Sequence, residues 1–136
     1  MPRRRTFGPE IPLPKVAAII NWYGIADVAD LLEGPHRQTY AIQWLGSLGN
    51  REEIARRVSP LKYVRSGLPP VLSIQGDADP VVPYEHSLRL RDALTKAGVQ
   101  NELITVPGGG HGNFKPEERT GIYLRIREFL AKNGLK

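Results

Sequence analysis

The hydrophobic residues of the chain form three short runs that alternate with segments of helical spacing. The runs cover residues 16–20, 71–74 and 102–106, and glycine or proline follows the second and the third. Short, nearly continuous apolar runs are typical of buried parallel strands, because both faces of such a strand are covered. The pattern therefore predicts three strands of one parallel sheet.

Four segments lying between and after these runs are predicted to be helical, over residues 40–45, 50–58, 83–97 and 116–132. Asn50 and Glu53 have the spacing of a capping box, and Pro83 suits a first helical turn. The third segment carries one apolar stripe, formed by Leu90, Ala93, Leu94 and Ala97. The last segment carries a second stripe, formed by Ile122, Ile126, Phe129 and Leu130. Gly98 is expected to end the third helix.

Alternation of strands and helices predicts an α/β fold, with a three-stranded, mostly parallel sheet and flanking helices. In such sheets ligands and reacting groups gather at the carboxyl ends of the strands. The loops that follow the three predicted strands are therefore the places to search for chemistry.

Two of these loops carry titratable side chains. Asp77 and Asp79 follow the second strand, and His111 follows the third within a run of glycines. Each loop alone is compatible with a polar turn or a surface histidine. Because neighbouring parallel strands end side by side, Asp79 and His111 are expected to meet. A carboxylate that accepts from one imidazole nitrogen leaves the other nitrogen to take a proton from a nucleophile.

Alternatively, Asp77, Asp79 and His111 could hold a divalent metal ion.

Composition removes several other classes of protein. The chain has 136 residues and no cysteine, which excludes a disulfide scaffold, a thiol nucleophile and a Cys-ligated metal. The net charge is +5, and part of it lies in Arg3, Arg4 and Arg5. Residues 1–15 are predicted to form an extended, basic and proline-rich arm. A basic tip can contact nucleic acid, but no recognition motif accompanies it, so neither nucleic acid nor a membrane is the expected partner.

No apolar run approaches the roughly 20 residues of a membrane helix, and no apolar segment of a secretory signal follows the arginines. We expect a soluble protein. The sequence does not assign a compartment, and the cytoplasm is one of the options. No cofactor is expected.

Four segments together resemble the α/β-hydrolase superfamily, in its esterase, prolyl-oligopeptidase-like and dienelactone-hydrolase-like branch. Residues 75–87, QGDADPVVPYEHS, resemble the loop that bears the catalytic acid, and residues 108–114, GGGHGNF, resemble the loop of the catalytic histidine. Residues 21–24 with Asp27, and residues 58–61, resemble the segments after the sixth strand and before the seventh. The resemblance spans residues 16–131 and is to the C-terminal half of the fold, so residues 16–136 are expected to form a partial hydrolase domain.

The resemblance implies roles for individual residues. Asp79 matches the acid, and His111 matches the group that acts first as general base and then as general acid. Asp77 is expected to be structural, and Gln75 stands where a histidine is common. Trp22 and Tyr23 follow a strand exit, where they either line a substrate pocket or pack in the core. His36 and His86 are expected to be solvated.

The nucleophile of the family is not recognisable in this chain. The family carries its serine on a G-x-S-x-G turn upstream of the acid, and the sequence contains no such motif. Ser47 is the one serine flanked closely by glycines, but Leu45 breaks the pattern. The expected activity is hydrolysis of small-molecule carboxylic esters, with little or none from this chain alone. The alternative is an inactive, truncated hydrolase domain that forms homo-oligomers through an exposed sheet edge.

Overall fold

The computed structural model describes residues 15–135, so nearly all of the predicted N-terminal arm lies outside the described residues. Three parallel strands form one sheet in the order β1-β2-β3. They are β1 (Ile19–Trp22), β2 (Val71–Gly76) and β3 (Asn101–Val106). The prediction of a three-stranded parallel sheet with flanking helices is confirmed.

Four α-helices accompany the sheet: α1 (Thr39–Leu45), α2 (Arg51–Arg57), α3 (Glu85–Lys96) and α4 (Pro116–Lys132). Three 3₁₀ turns lie at Ala29–Leu31, Gly34–His36 and Pro60–Tyr63. Within residues 15–135, no helix combines the length and the apolar character needed to cross a membrane.

The alternation of side chains along β2 separates the helices onto the two faces of the sheet. Leu72 and Ile74 pack with Ile122 and Phe129 of α4, whereas Val71 packs with Leu94 of α3. Successive side chains of a strand point to opposite faces, so α3 and α4 lie on opposite sides of the sheet. All six residues of β2 are buried, as expected for a central strand. A third cluster joins the 3₁₀ turn Ala29–Leu31 to α1 and α2.

The first strand begins three residues later than the predicted position, residues 16–20. β1 starts at Ile19, which is opposite Val71, and it ends at Trp22. The pairing register explains the shift, because β2 offers no partner before Val71. Val16 is 64% exposed, so the start of the apolar run is not buried in the described chain.

The observed helix ends differ from two of the predicted ones, at Asn50 and Pro83, and confirm the third, at Gly98. Asn50 precedes α2 but makes no capping hydrogen bond through its side chain, so the predicted capping box is wrong. Pro83 lies two residues before α3, with its carbonyl accepting from the amide of His86. Gly98 follows α3 with a φ of 72°, and the amide of Val99 bonds back to Leu94. This closure is the expected glycine stop, since glycine adopts positive φ without a Cβ penalty.

Candidate functional site

The loops after β2 and β3 are fastened to each other at the carboxyl edge of the sheet. Asp77 accepts a hydrogen bond from the amide of Gly108 at 2.6 Å, and the amide of Ala78 donates to the carbonyl of Gly109 at 3.0 Å. Gly76 lies so close to the second loop that a Cβ there would stand 2.0 Å from the carbonyl oxygen of Gly109. The two loops therefore hold a fixed relative position.

Asp79 is surrounded by hydrogen-bond donors. Its Oδ1 accepts from the amides of Val81 and Val82 at 2.8 and 3.0 Å, and its Oδ2 accepts from Nε2 of Gln75 at 3.2 Å. Its side chain has no exposed surface. Burial alone would raise the pKa of Asp79, but the bonds from Val82, His111, Val81 and Gln75 outweigh burial and hold the pKa below 3.8. The carboxyl is therefore ionised at neutral pH.

His111 contacts this carboxylate directly. Nδ1 of His111 lies 2.9 Å from Oδ2 of Asp79, and one third of the histidine side chain is exposed. An ionised carboxylate only accepts, so Nδ1 carries the proton and Nε2 keeps its lone pair in the neutral ring. The expected meeting of the two loops is observed, and a carboxylate holds the imidazole of His111 in one tautomer.

Tyr23, at the exit of β1, supports the ring of His111 from one side. The two ring centroids are 4.5 Å apart, and the planes are inclined by 57°. Tyr23 has a φ of 41°, a conformation that costs energy for a residue with a Cβ. A Cβ at Gly112 would lie 2.6 Å from the Tyr23 hydroxyl oxygen, so the glycine lets the ring approach. Backbone strain is thus concentrated next to the histidine.

A cavity of about 360 Å³ opens beside His111. Trp22 and Tyr23, the two residues predicted for a pocket, both line it, together with Gly24, Ile25, Tyr40, Val81 and Val82. Tyr40 was not among the predicted site residues, and its hydroxyl donates to the carbonyl of Val81 at 2.8 Å. Burial, with the charge of Asp79 as a second cause, raises the pKa of Tyr40 above 10.0. No local pattern in the sequence signals a contact across 41 residues.

Ser47 does not join these residues. It is exposed and follows α1 rather than a strand, and none of the hydrogen bonds among residues 15–135 joins it to Asp79 or His111. Within the same residues, no hydroxyl is hydrogen-bonded to Nε2 of His111. The described chain therefore presents the Asp79–His111 pair without a hydroxyl bonded to the histidine.

The alternative of a metal site on Asp77, Asp79 and His111 is wrong for the described residues. Nowhere in 15–135 do three or more His, Cys, Asp or Glu side chains converge in an arrangement able to hold a metal ion. Asp77 instead points at Gly108, as expected of a structural residue.

His36 and His86 correct the expectation of solvated histidines. His86 is completely buried, and its Nδ1 accepts from the amides of Ala26 and Asp27 at 3.2 and 3.4 Å. Its Nε2 faces Oδ2 of Asp30 at 3.1 Å, and Nδ1 of His36 faces the same oxygen at 2.8 Å. A signal was present: His86 precedes Leu90 by one helical turn and extends the apolar stripe of α3.

Comparison with known proteins finds similar proteins both by sequence and by fold. The family described as BD-FAE matches residues 8–94. A putative carboxymethylenebutenolidase of Yersinia pestis is 26% identical over 102 residues, which is 70% of this chain and 38% of that protein.

Solved structures of esterases share the fold. A truncated carbohydrate esterase from gut microbiota has a TM-score of 0.66 at 29% identity, with 87% of this chain and 42% of that one covered. Esterase 2 of Thermogutta terrifontis has a TM-score of 0.60 at 27% identity, with 86% and 41% covered. The chain thus spans about two fifths of the length of these relatives.

Proposed function

The chain belongs to the BD-FAE family of α/β-hydrolase-like domains, and we propose that it carries the acid and the general base of a serine-type carboxylic ester hydrolase. Asp79 is the acid and His111 is the base. The hydrogen bond of 2.9 Å between His111 and the buried carboxylate of Asp79 supports this assignment above all. The names of relatives, an esterase and a carbohydrate esterase among them, favour small-molecule esters as the substrate class.

In this proposal Asp79 fixes the tautomer of His111, and Nε2 removes the proton of an attacking hydroxyl. The hydroxyl oxygen bonds to the ester carbonyl carbon, and the protonated ring then donates to the departing alcohol oxygen. Water then attacks the acyl group, again with Nε2 taking its proton, and the ring returns this proton to the nucleophile. The carboxylic acid product is released and the nucleophile is restored. Asp79 remains ionised and stabilises the charged ring in both halves.

Of the three groups that this mechanism needs, the nucleophile is the one that is not recognisable in the chain. Among residues 15–135 no hydroxyl is bonded to Nε2 of His111, so the contribution of an activated nucleophile to the rate is missing there. We therefore expect the 136-residue chain alone to hydrolyse esters at close to the uncatalysed rate. Ser47 is the one candidate from sequence, and its exposed position after α1 argues against it.

A fluorophosphonate probe read by intact mass tests this part of the proposal. The wild-type chain should stay unlabelled, with p-nitrophenyl acetate hydrolysed at the background rate. Stoichiometric labelling would show that a reactive serine is present, and S47A would then reveal whether it is Ser47. The control is S66A, which removes another exposed serine.

The esterase assignment itself is tested on a longer product. The reading frame upstream of Met1 is examined for a G-x-S-x-G segment, and the extended protein is assayed with acetyl esters. Hydrolysis that falls by about 10³-fold or more in D79N and in H111A supports the proposal, because triad members act as a unit. Unchanged hydrolysis in H111A would contradict it.

Trp22 and Tyr23 are proposed to line the substrate pocket. Both border the cavity beside His111, and the ring of Tyr23 packs against the imidazole. In the extended protein, W22A is expected to raise KM with a smaller effect on kcat. Equal loss of kcat and kcat/KM, with KM unchanged, would show that Trp22 does not contribute to binding of the substrate in its ground state.

The alternative is that the chain is an inactive domain that self-associates through β1. In the described chain, β1 pairs with β2 alone, and Ile19 on this strand is 38% exposed. An apolar cavity of about 430 Å³ lies next to the same strand, bordered by Ile20, Val64 and Leu68. Unpaired strand edges invite pairing with another chain, so a homodimer or a larger oligomer is expected.

Light scattering across a concentration series tests the self-association. I19K places a charge on the β1 edge and should shift the oligomer to a monomer. V58K is the control, because Val58 is similarly exposed, at 44%, but follows α2 and not a strand. A wild-type monomer at every concentration would contradict the alternative.

A further inference from the structure

Gln75 is the last side chain of β2 before the loop that carries Asp79, and it is completely buried. Its position on the strand directs it to the face covered by α3, as for Val71. Burying an amide costs free energy unless its donors and its acceptor all have hydrogen-bond partners. The partners of Gln75 therefore indicate its role.

All of the hydrogen-bonding groups of this amide have partners. Nε2 donates to the carbonyl of Val82 at 2.7 Å and to Oδ2 of Asp79 at 3.2 Å. Oε1 accepts from the hydroxyl of Ser87, which is itself buried on α3. The carboxylate of Asp79 and the carbonyl of Val82 only accept, so they determine which end of the amide faces them, and Oε1 is left to accept from Ser87.

The same side chain therefore acts on both oxygens of Asp79. It contacts Oδ2, the oxygen that receives Nδ1 of His111, and it also holds the carbonyl of Val82. The amide of Val82 donates to Oδ1. Rotation of the carboxylate would break contacts at both oxygens.

We propose that Gln75, locked by Ser87, is a positioning residue that keeps Oδ2 of Asp79 aligned with Nδ1 of His111. This inference rests on the proposed function, because it concerns the same acid and base. Gln75 makes no hydrogen bond to His111 and does not border the cavity beside it, so it acts through Asp79 and the Val82 backbone that holds Asp79.

Solution NMR of the full 136-residue chain tests the inference without any need for hydrolysis. The observable is the Nδ1–H proton of His111, assigned by its loss in H111A and read for resonance position and exchange with water. In the wild type we expect a protected signal that D79N abolishes. Q75L has nearly the same shape but cannot donate, and it should lose the protected signal while the pKa of the Asp79 carboxyl rises.

S87A provides a second variant that leaves both Gln75 and Asp79 in place. Without the Ser87 hydroxyl the amide of Gln75 can rotate. The Nδ1–H proton of His111 should therefore exchange with water faster than in the wild type but more slowly than in Q75L. If Q75L does not fold, the comparison of S87A with wild type decides. The matched control is S59A, which removes a buried hydroxyl bonded to Val28 and Ala55, away from Asp79.

The outcomes separate the two claims. A protected signal that is unchanged in Q75L and in S87A overturns the role of Gln75 and leaves the acid–base pair standing. A wild-type signal that does not respond to D79N overturns the pair itself. Equal losses in S59A and Q75L would show general loosening of the core and overturn positioning by Gln75.

Discussion

Gly76 and Gly109 are in backbone contact where the loops after β2 and β3 meet: a Cβ on Gly76 would lie 2.0 Å from the Gly109 carbonyl oxygen. No real Cβ tolerates that distance, and the obstacle is backbone rather than a flexible side chain. G76A must therefore push the two loops apart. We expect a loss of about 1–3 kcal/mol or more in the free energy of unfolding, together with loss of the Asp79–His111 hydrogen bond.

Urea denaturation measures the stability, and the Nδ1–H signal of His111 reports the hydrogen bond. G121A is the control, because Gly121 lies inside α4 and a Cβ there meets nothing within 4 Å. Alanine is favoured over glycine in a helix, so G121A should gain about 0.5–1 kcal/mol. A G76A protein as stable as the wild type would show that the loops are not tightly fastened.

Asp79 should contribute to stability in a pH-dependent way. Its pKa in the folded chain is below 3.8, so between that pKa and 3.8 the unfolded chain binds more protons than the native one. The contribution is complete above pH 3.8 and is lost as the pH falls through the folded pKa. D79N should therefore be less stable than the wild type at pH 7, by roughly 1–3 kcal/mol, with a smaller difference at pH 3.

Urea titrations of both proteins at the two pH values supply the comparison. D92N is the control, because the side chain of Asp92 is 68% exposed and should contribute little at either pH. A difference between D79N and wild type that stays constant from pH 7 to pH 3 would contradict the lowered pKa of Asp79.

Tyr40 connects α1 to the loop that carries Asp79. Its hydroxyl donates to the carbonyl of Val81, and the amide of Val81 donates to Asp79. Y40F removes the hydroxyl alone and should cost about 0.5–1.5 kcal/mol in urea denaturation. Y63F is the matched control, since the hydroxyl of Tyr63 also donates to a carbonyl, that of Arg57, but the residue is 54% exposed. Equal effects of Y40F and Y63F would show that burial of the Tyr40 contact is unimportant.

The parallel sheet and the pairing of Asp79 with His111 could be anticipated from the sequence for a physical reason. Continuous apolar runs mark β2 as a covered strand, and parallel strands bring their exit loops together. The position of β1 could not be found in the same way. Ile19, not Val16, is the first paired residue, because the register with β2 selects the start of the strand.

The apolar stripe of α3 signals the burial of His86, but the partners of His86, Gln75 and Tyr40 were beyond sequence reasoning. Each of these contacts joins segments that fold together only in the tertiary structure, such as Tyr40 with Val81 or His86 with Ala26. A polar side chain in isolation looks solvated, and it becomes a buried hydrogen-bonding group only when the surrounding backbone supplies partners. The resemblance to hydrolases covered the loops but carried no information on these contacts.

His86 should make the stability of the chain depend on pH near neutrality. Burial is the main cause that lowers its pKa below 6.5, opposed by Asp30 and Asp27, with Arg89 adding to the lowering. Between the folded pKa and 6.5, the unfolded chain binds the extra proton. The contribution of neutral His86 is therefore complete above pH 6.5 and is lost as the pH falls through the folded pKa.

Urea denaturation from pH 8 to pH 5 measures this effect. The wild type should lose stability below pH 6.5, whereas H86Q, which can still accept from the amides of Ala26 and Asp27, should show a flatter profile at lower overall stability. H36Q is the control: His36 shares Asp30 with His86 but is 29% exposed, so the decline should persist in it. If the wild type and H86Q decline in parallel while H36Q is flat, the histidine that governs the pH dependence is His36, and the assignment to buried His86 is wrong.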